Sequence, residues 1–202
     1  MDRYSKTGLR LNRATPRRPP GAAASAPTSA GEEALLFPDM GPATSPAPWR
    51  LGALHHLGLT VADIERSIRF YRDVLGMTLV RRRPQVDSDY VALQTGYPGV
   101  VLNVASFKVT PESLQSLELV QYMNHAGLPV ETAGNRPGAS HLCLTVDDLR
   151  ACHADLKAKG VRFKSEPVKI TAGPNTGGLV VYFYDPDGYM LELFQIPDSP
   201  QP

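Results

Sequence analysis

The sequence predicts an α+β fold built from a duplicated β-α-β-β-β module. Strand-like segments, in which apolar and polar residues alternate, are interrupted by two helix-like segments with apolar residues three or four positions apart. A shift of 85 positions also superposes the segment around His56 on the segment around His141, with matching leucine, threonine, valine and aspartate positions. An internal repeat of this kind indicates two copies of one structural unit.

The first module is expected to begin with a strand at Leu54–Val61, and Asp63 is a suitable N-cap for the helix that follows. This helix ends at Gly76 and has one apolar face, formed by Ile64, Ile68, Tyr71 and Leu75. Further strands are expected at Thr78–Arg82, Tyr90–Gln94, Val100–Phe107 and Leu117–Tyr122.

The second module repeats this order after a polar, turn-rich linker at residues 124–137. A strand is expected at Ser140–Val146, and Asp148 caps a helix that ends at Gly160. Later strands are expected at Val161–Lys164, Leu179–Tyr184 and Tyr189–Gln195, and a tight turn at residues 185–188 joins the last two.

The composition excludes several classes of function. The 202 residues carry 21 Lys and Arg against 20 Asp and Glu, so the net charge of +1 produces no field that attracts nucleic acid or an anionic membrane. No apolar run approaches the roughly 18–20 residues that cross a bilayer. The two cysteines, Cys143 and Cys152, form neither a disulfide framework nor a zinc motif. We therefore expect a cytoplasmic protein with no nucleic-acid or membrane partner.

The first 50 residues differ from the rest of the chain. They contain eight of the 19 prolines and are rich in alanine, serine and arginine, so we predict a disordered tail at 1–50. Its basic start loosely resembles an organelle transit peptide, but a plain extension is the favoured interpretation. The folded domain is expected at 51–196, with modules at 53–123 and 138–196 and a C-terminal tail at 197–202.

Four residues at equivalent points of the two modules point to a metal site. His56 and His141 lie in the opening strands, while Glu118 and Glu192 lie between leucines in the closing strands. Strand alternation places the histidines on the face away from the helices. A carboxylate in such an apolar strand is costly unless it is paired or bound to a metal. Two imidazoles and two carboxylates suit a divalent first-row ion, such as Zn²⁺, Ni²⁺, Co²⁺, Mn²⁺ or Fe²⁺.

Residues 54–77 (LHHLGLTVADIERSIRFYRDVLGM) and 182–193 (YFYDPDGYMLEL) resemble the opening and closing motifs of the vicinal oxygen chelate superfamily. This superfamily includes glyoxalase I, methylmalonyl-CoA epimerase, extradiol dioxygenases and fosfomycin or bleomycin resistance proteins. The resemblance covers residues 53–196. It implies paired βαβββ modules in a U-shaped mixed sheet around a metal, with His56, Glu118, His141 and Glu192 at the ligand positions and a homodimer as the assembly.

The resemblance implies an enzyme that chelates a small substrate through two adjacent oxygens. We expect an isomerase, lyase or epimerase that moves a proton on the carbon next to a carbonyl, while the metal acts as a Lewis acid and stabilises a developing enolate. Glu192 or Glu118 would be the base.

Two alternatives remain open from the sequence. The first is an extradiol-type dioxygenase that holds Fe²⁺ through His56, His141 and Glu192, although such an enzyme does not need Glu118 as a ligand. The second is a non-catalytic protein that binds a small molecule or confers resistance. The basic run Arg81–Arg83 is interpreted as a solvated strand end, and His125 and His153 as surface or boundary residues.

Overall fold

The first module is a four-stranded sheet with a helix on one face. The structure, a computed structural model, describes residues 48–130 and 133–197. In chain order the elements are β1 (His56–Thr60), α1 (Ile64–Arg69), a π-helical turn (Phe70–Val74), β2 (Thr78–Val86), α2 (Asp89–Thr95), β3 (Leu102–Lys108) and β4 (Ser116–Tyr122). The strand order is β1-β4-β3-β2, with β1 parallel to β4 and the other neighbours antiparallel.

The second module has the same topology. Its elements are β5 (His141–Thr145), α3 (Leu149–Ala158), β6 (Val168–Lys169), β7 (Leu179–Tyr184) and β8 (Met190–Gln195), and its strand order is β5-β8-β7-β6. As in the first module, the first and last strands of the module, here β5 and β8, are parallel neighbours. The predicted α+β fold of paired βαβββ modules is therefore confirmed, with the described strands divided into two sheets of four.

Helices α1 and α3 begin where the sequence predicts. The carboxylate of Asp63 accepts hydrogen bonds from the backbone N–H groups of Glu65 and Arg66, each at 3.0 Å. Asp148 accepts one from Ala151 at 2.9 Å. These side chains satisfy backbone donors that have no partner inside the helix, which fixes the point at which each helix starts.

Three predicted elements differ from the structure. Residues 90–94 belong to helix α2 rather than to a strand. Val91 is the buried residue of this helix, and Gly96 ends the helix with φ of 73°. The predicted strand at Val161–Lys164 forms only a single bridge, between Phe163 and Phe183. The short strand β6 was not predicted. Short apolar runs fit either a strand or a buried helix, which is why periodicity misassigned α2.

The helix-facing sides of both sheets share one hydrophobic core. Buried leucines of β4 and β8 belong to the same cluster as residues of α1 and α3. In β4 these are Leu117 and Leu119, and in β8 they are Leu191 and Leu193. Because side chains alternate along a strand, the intervening glutamates lie on the opposite faces. Each sheet therefore turns an outer face away from the core that the modules share.

A turn of the second module is docked on helix α1 of the first. The carboxylate of Asp187 accepts hydrogen bonds from Arg66 Nη2 at 2.5 Å and from Ser67 Oγ at 3.3 Å. Tyr71, which is fully buried, donates its hydroxyl to Asp185 Oδ2 at 3.0 Å. Burial, reinforced by the Asp185 charge, raises the pKa of Tyr71 well above its usual range. This turn therefore ties the modules together through polar contacts beside the shared core.

The predicted tails lie mostly beyond these elements. The N-terminal tail at 1–50 falls outside the described residues except for 48–50, and the C-terminal tail except for residue 197. By their contacts, the described residues from Gly52 onward form one compact unit.

Candidate metal centre

His141 and Glu192 converge on the outer face of the second sheet. The parallel register pairs Cys143 with Glu192 and Met190 with His141, so the histidine and the glutamate are diagonal neighbours. Their side chains meet with His141 Nε2 2.8 Å from Glu192 Oε2. The glutamate side chain is 15% exposed and that of the histidine 40%. The two groups direct a nitrogen and an oxygen to one point that solvent can reach.

The surroundings of Glu192 are partly desolvated. Cys143 and Tyr182 occupy the positions on either side of Glu192 on the neighbouring strands. Burial, followed by the charge of Glu192, raises the pKa of the Cys143 thiol to about 11. The same causes raise the pKa of Tyr182. The ring of Tyr182 also packs edge-to-face on His141, with 5.3 Å between ring centroids. At neutral pH both Cys143 and Tyr182 are therefore protonated.

His56 and Glu118 occupy the same register in the first sheet. Gly58 pairs with Glu118 and Ser116 pairs with His56, as their counterparts do in the second module. The side chains, however, have other partners. His56 Nδ1 lies 2.8 Å from His55 Nδ1, and Glu118 Oε2 lies 3.5 Å from Arg83 Nη2. The backbone places this pair as the repeat predicts, but its side chains do not meet.

The four predicted ligands thus stand as two pairs. In the part of the chain that the structure describes, no group of three or more His, Cys, Asp and Glu side chains could hold a metal ion. The donor chemistry of each pair still fits a divalent ion, because each combines an imidazole nitrogen with a carboxylate oxygen. The assignment of all four residues to one metal stays a prediction.

Two arginines beside this site were not predicted as part of it. Arg81 and Arg83 pair with Ser106 and Val104 of β3, positions on the same face as Glu118. The interpretation of residues 81–83 as a solvated strand end is therefore wrong for Arg83, whose side chain is 38% exposed and contacts Glu118. The run of three arginines was the available signal, but sequence alternation does not reveal which of them faces the site.

His125 and His153 belong to neither of these pairs. His125 is half-buried, with its ring packed on Tyr97 and its Nε2 3.1 Å from the carbonyl oxygen of Pro98, in agreement with its interpretation as a surface or boundary residue. His153 is buried instead, 5% exposed, and packs on the ring of Phe163.

A search of the described residues for a helix long and apolar enough to cross a membrane finds none.

Sequence comparison finds relatives along most of the folded part. Residues 53–193 match the family model of the Glyoxalase/Bleomycin resistance protein/Dioxygenase superfamily. A probable lactoylglutathione lyase from Vibrio cholerae is 32% identical over 142 residues, which cover 69% of this chain and 88% of that protein. The mitochondrial methylmalonyl-CoA epimerase of Homo sapiens is 32% identical over 154 residues, 73% of this chain and 76% of that protein.

Solved structures agree with the sequence relatives. A glyoxalase family protein from Bacillus cereus superposes with a TM-score of 0.65 at 19% identity, over 76% of this chain and 99% of that one. A glyoxalase/dioxygenase from Nostoc punctiforme superposes with a TM-score of 0.53 at 26% identity, over 77% and 98%. The first of these likenesses concerns the fold alone. Together with the family match over residues 53–193, these findings show that the chain belongs to the glyoxalase/bleomycin resistance protein/dioxygenase superfamily.

Proposed function

We propose that this protein is a metal-dependent isomerase, lyase or epimerase that moves a proton on the carbon next to a carbonyl. The observation that carries the proposal is the convergence of His141 and Glu192 at 2.8 Å, in a register that His56 and Glu118 repeat in the first sheet. The relatives named as a lyase and as an epimerase support the same class of reaction.

The metal would be held by His56, Glu118, His141 and Glu192. Two neutral imidazoles and two carboxylates balance the charge of a divalent ion of the series Zn²⁺, Ni²⁺, Co²⁺, Mn²⁺ or Fe²⁺. Such an ion would supply Lewis-acid stabilisation to the negative charge that develops on the substrate oxygen. The substrate class is a small molecule with adjacent oxygens.

The proton would move through a glutamate. Glu192 is the better placed of the two, since its side chain is 15% exposed against 25% for Glu118. Cys143 and Tyr182 flank this carboxylate on the two neighbouring strands. Glu118 is the second candidate for this base.

We further propose that the active assembly is a homodimer. Each outer face turns away from the core that the two modules of one chain share, so a complete set of four ligands needs two such faces brought together. A second copy satisfies this requirement when the His56 and Glu118 face of one chain meets the His141 and Glu192 face of the partner subunit. A symmetric dimer arranged in this way contains two complete sites.

The proposal is tested by metal content and turnover of the full-length protein. Glu118→Ala and Glu192→Gln are compared with Glu112→Gln, a matched control on an exposed loop. We expect the wild type and the control to purify with, or take up, about one divalent ion per chain, and Glu118→Ala to lose it. Candidate substrates, with exchange of solvent deuterium as the readout, are S-lactoylglutathione and methylmalonyl-CoA, which the relatives' names suggest.

The expected loss of turnover in Glu192→Gln is about 100-fold or more, the usual contribution of a general acid–base group. The proposal is overturned if the wild type takes up no metal on titration. It is equally overturned if Glu118→Ala keeps its metal and the activity requires O₂. A monomer that binds metal with full affinity would contradict the dimer.

A further inference from the structure

A β-bulge in strand β2 redirects the arginines that follow it. Leu79 pairs with Phe107, but Arg81 pairs with the next residue of β3, Ser106, so Val80 is an extra residue in this strand. With strict alternation Arg81 would share the helix-facing side of the sheet with Leu79. The extra residue moves it to the other face, an effect for which bulges near active sites are known.

The three arginines are therefore divided between the two faces. Arg82 remains on the helix-facing side, where it forms an ion pair with Glu65 of α1. Arg81 and Arg83 lie on the outer face, on the side of the sheet that carries Glu118. The chain thus places two positive charges, two residues apart, next to one of the predicted metal ligands.

A second irregularity follows Arg83 directly. Arg83 pairs with Val104 and Val86 with Leu102, so two residues of β2 stand opposite the single residue Asn103. Gln85, one of these two, has φ of 54° and is the only non-glycine residue with positive φ in the described part of the chain. Its N–H donates to Asn103 Oδ1 at 3.0 Å, which stabilises the unusual conformation. Strained backbone of this kind is concentrated at functional sites.

The guanidinium of Arg83 has donors to spare. Its Nη2 lies 3.5 Å from Glu118 Oε2, beyond the usual 2.7–3.2 Å of an N–H···O bond. Its Nε is buried and has no hydrogen-bond partner among the described residues. Because a guanidinium presents five N–H donors in a planar fork, it can bind both oxygens of a carboxylate or phosphate at once.

The charges of the proposed centre leave these arginines without compensation. Glu118 and Glu192 together balance a divalent ion, and the histidines bind as neutral ligands. Arg81 and Arg83 then add two positive charges on the outer face of the first sheet. The adjoining part of that face is apolar, formed by Val104, Leu102 and Val91 of helix α2, and these three side chains supply no carboxylate.

We propose that Arg83, assisted by Arg81, forms an oxyanion-binding subsite that selects substrates with a carboxylate or phosphate group beside the metal centre. This inference rests on the proposed function, because it assigns a substrate class to the same site. A neutral substrate with adjacent oxygens would leave the buried Nε of Arg83 without an acceptor and would be disfavoured.

The test measures binding of inorganic phosphate and of acetate by calorimetry to the full-length protein, both metal-loaded and metal-free. Arg83→Met removes the charge and keeps the length of the side chain, and Arg82→Met is the matched control on the opposite face. We expect Arg83→Met to weaken the binding of at least one anion about tenfold or more, and Arg82→Met to change it less than about twofold. Preference for one anion identifies the group as phosphate or carboxylate.

Several outcomes overturn the subsite. These are a wild type that binds neither anion at millimolar concentration, equal losses in the two variants, and full affinity in Arg83→Met. Thermal unfolding shows whether both variants are folded. Arg83→Lys keeps the charge but not the planar fork of donors, so we expect it to lose anion affinity to an intermediate degree. If anion binding depends on Arg83 but no metal is taken up, the proposed function fails and the subsite stands. If metal uptake is normal and the Arg83 variants bind anions like the wild type, the subsite fails and the proposed function stands.

Discussion

Removing the hydroxyl of Tyr71 should loosen the attachment between the two modules. In Tyr71→Phe the ring keeps its place, because this residue is fully buried and the hydroxyl is its polar contact, at 3.0 Å from Asp185 Oδ2. The other carboxylate oxygen, Oδ1, keeps its backbone donors, the N–H groups of Asp187 at 2.9 Å and Tyr189 at 2.8 Å. The loss is therefore one hydrogen bond to a buried carboxyl group, about 1.5–3 kcal/mol.

Urea unfolding measures this difference, and the slope with denaturant concentration should stay unchanged. For a folded part of this size the same loss lowers Tm by about 4–10 °C. Tyr90→Phe is the control, since that tyrosine is 58% exposed on α2 and its change should stay within about 0.5 kcal/mol. If Tyr71→Phe also falls within about 0.5 kcal/mol of the wild type, this hydrogen bond does not hold the modules together and the reasoning fails.

Three further predictions concern stability and metal uptake. Burial raises the pKa of Asp185, so folding favours its protonated form. The free energy of unfolding of the wild type, relative to that of Asp185→Asn, should therefore fall as the pH rises from below the ordinary carboxyl range through the raised pKa. Parallel curves of unfolding free energy against pH for the two proteins would contradict this. Gln85→Val should lower stability by about 1–2 kcal/mol, because a β-branched residue tolerates positive φ poorly, whereas Gln85→Gly should be nearly neutral in the same melts. His141→Ala should reduce metal affinity at least tenfold by metal titration, while His125→Ala leaves it unchanged.

Local signals predicted most of the fold. Alternating leucines identified the strands that carry the candidate ligands, and Asp63 and Asp148 marked the starts of the helices within one residue. These features depend on neighbours in the sequence, so they are visible in it. The repeat also predicted the common register of His56 and His141 against the closing strands, which the structure has in both sheets.

The rest depends on contacts between distant residues. Helix α2 exists because Val91 packs over Val100 and Leu102, which the seven residues of the helix do not reveal. The bulge at Val80 is set by pairing with β3 and not by a glycine or proline at that position. The tight turn at residues 185–188 was predicted, but its docking on α1 was not, since the partners lie more than 100 positions away.

The candidate site shows the same division. Residue type and repeat position select His56, Glu118, His141 and Glu192 as candidates, and alternation places them on the outer faces, in the register that both sheets have. The directions that the side chains take were not predictable, because His56 turns to His55 and Glu118 to Arg83. Whether all four residues bind one metal ion depends on how two such faces meet, so this assignment remains a prediction.

The alternation along β4 and β8 separates the side chains that form the shared core from the side chains that carry the proposed function. Leu117 and Leu119 are buried in the shared core, whereas Glu118 between them contributes its side chain to the outer face alone. If the proposed function holds, a change of this glutamate alters the chemistry at small cost in stability, and a change of either leucine does the reverse. In such a strand the residues of the outer face can be substituted during evolution while the residues of the core face, on which stability depends, are kept.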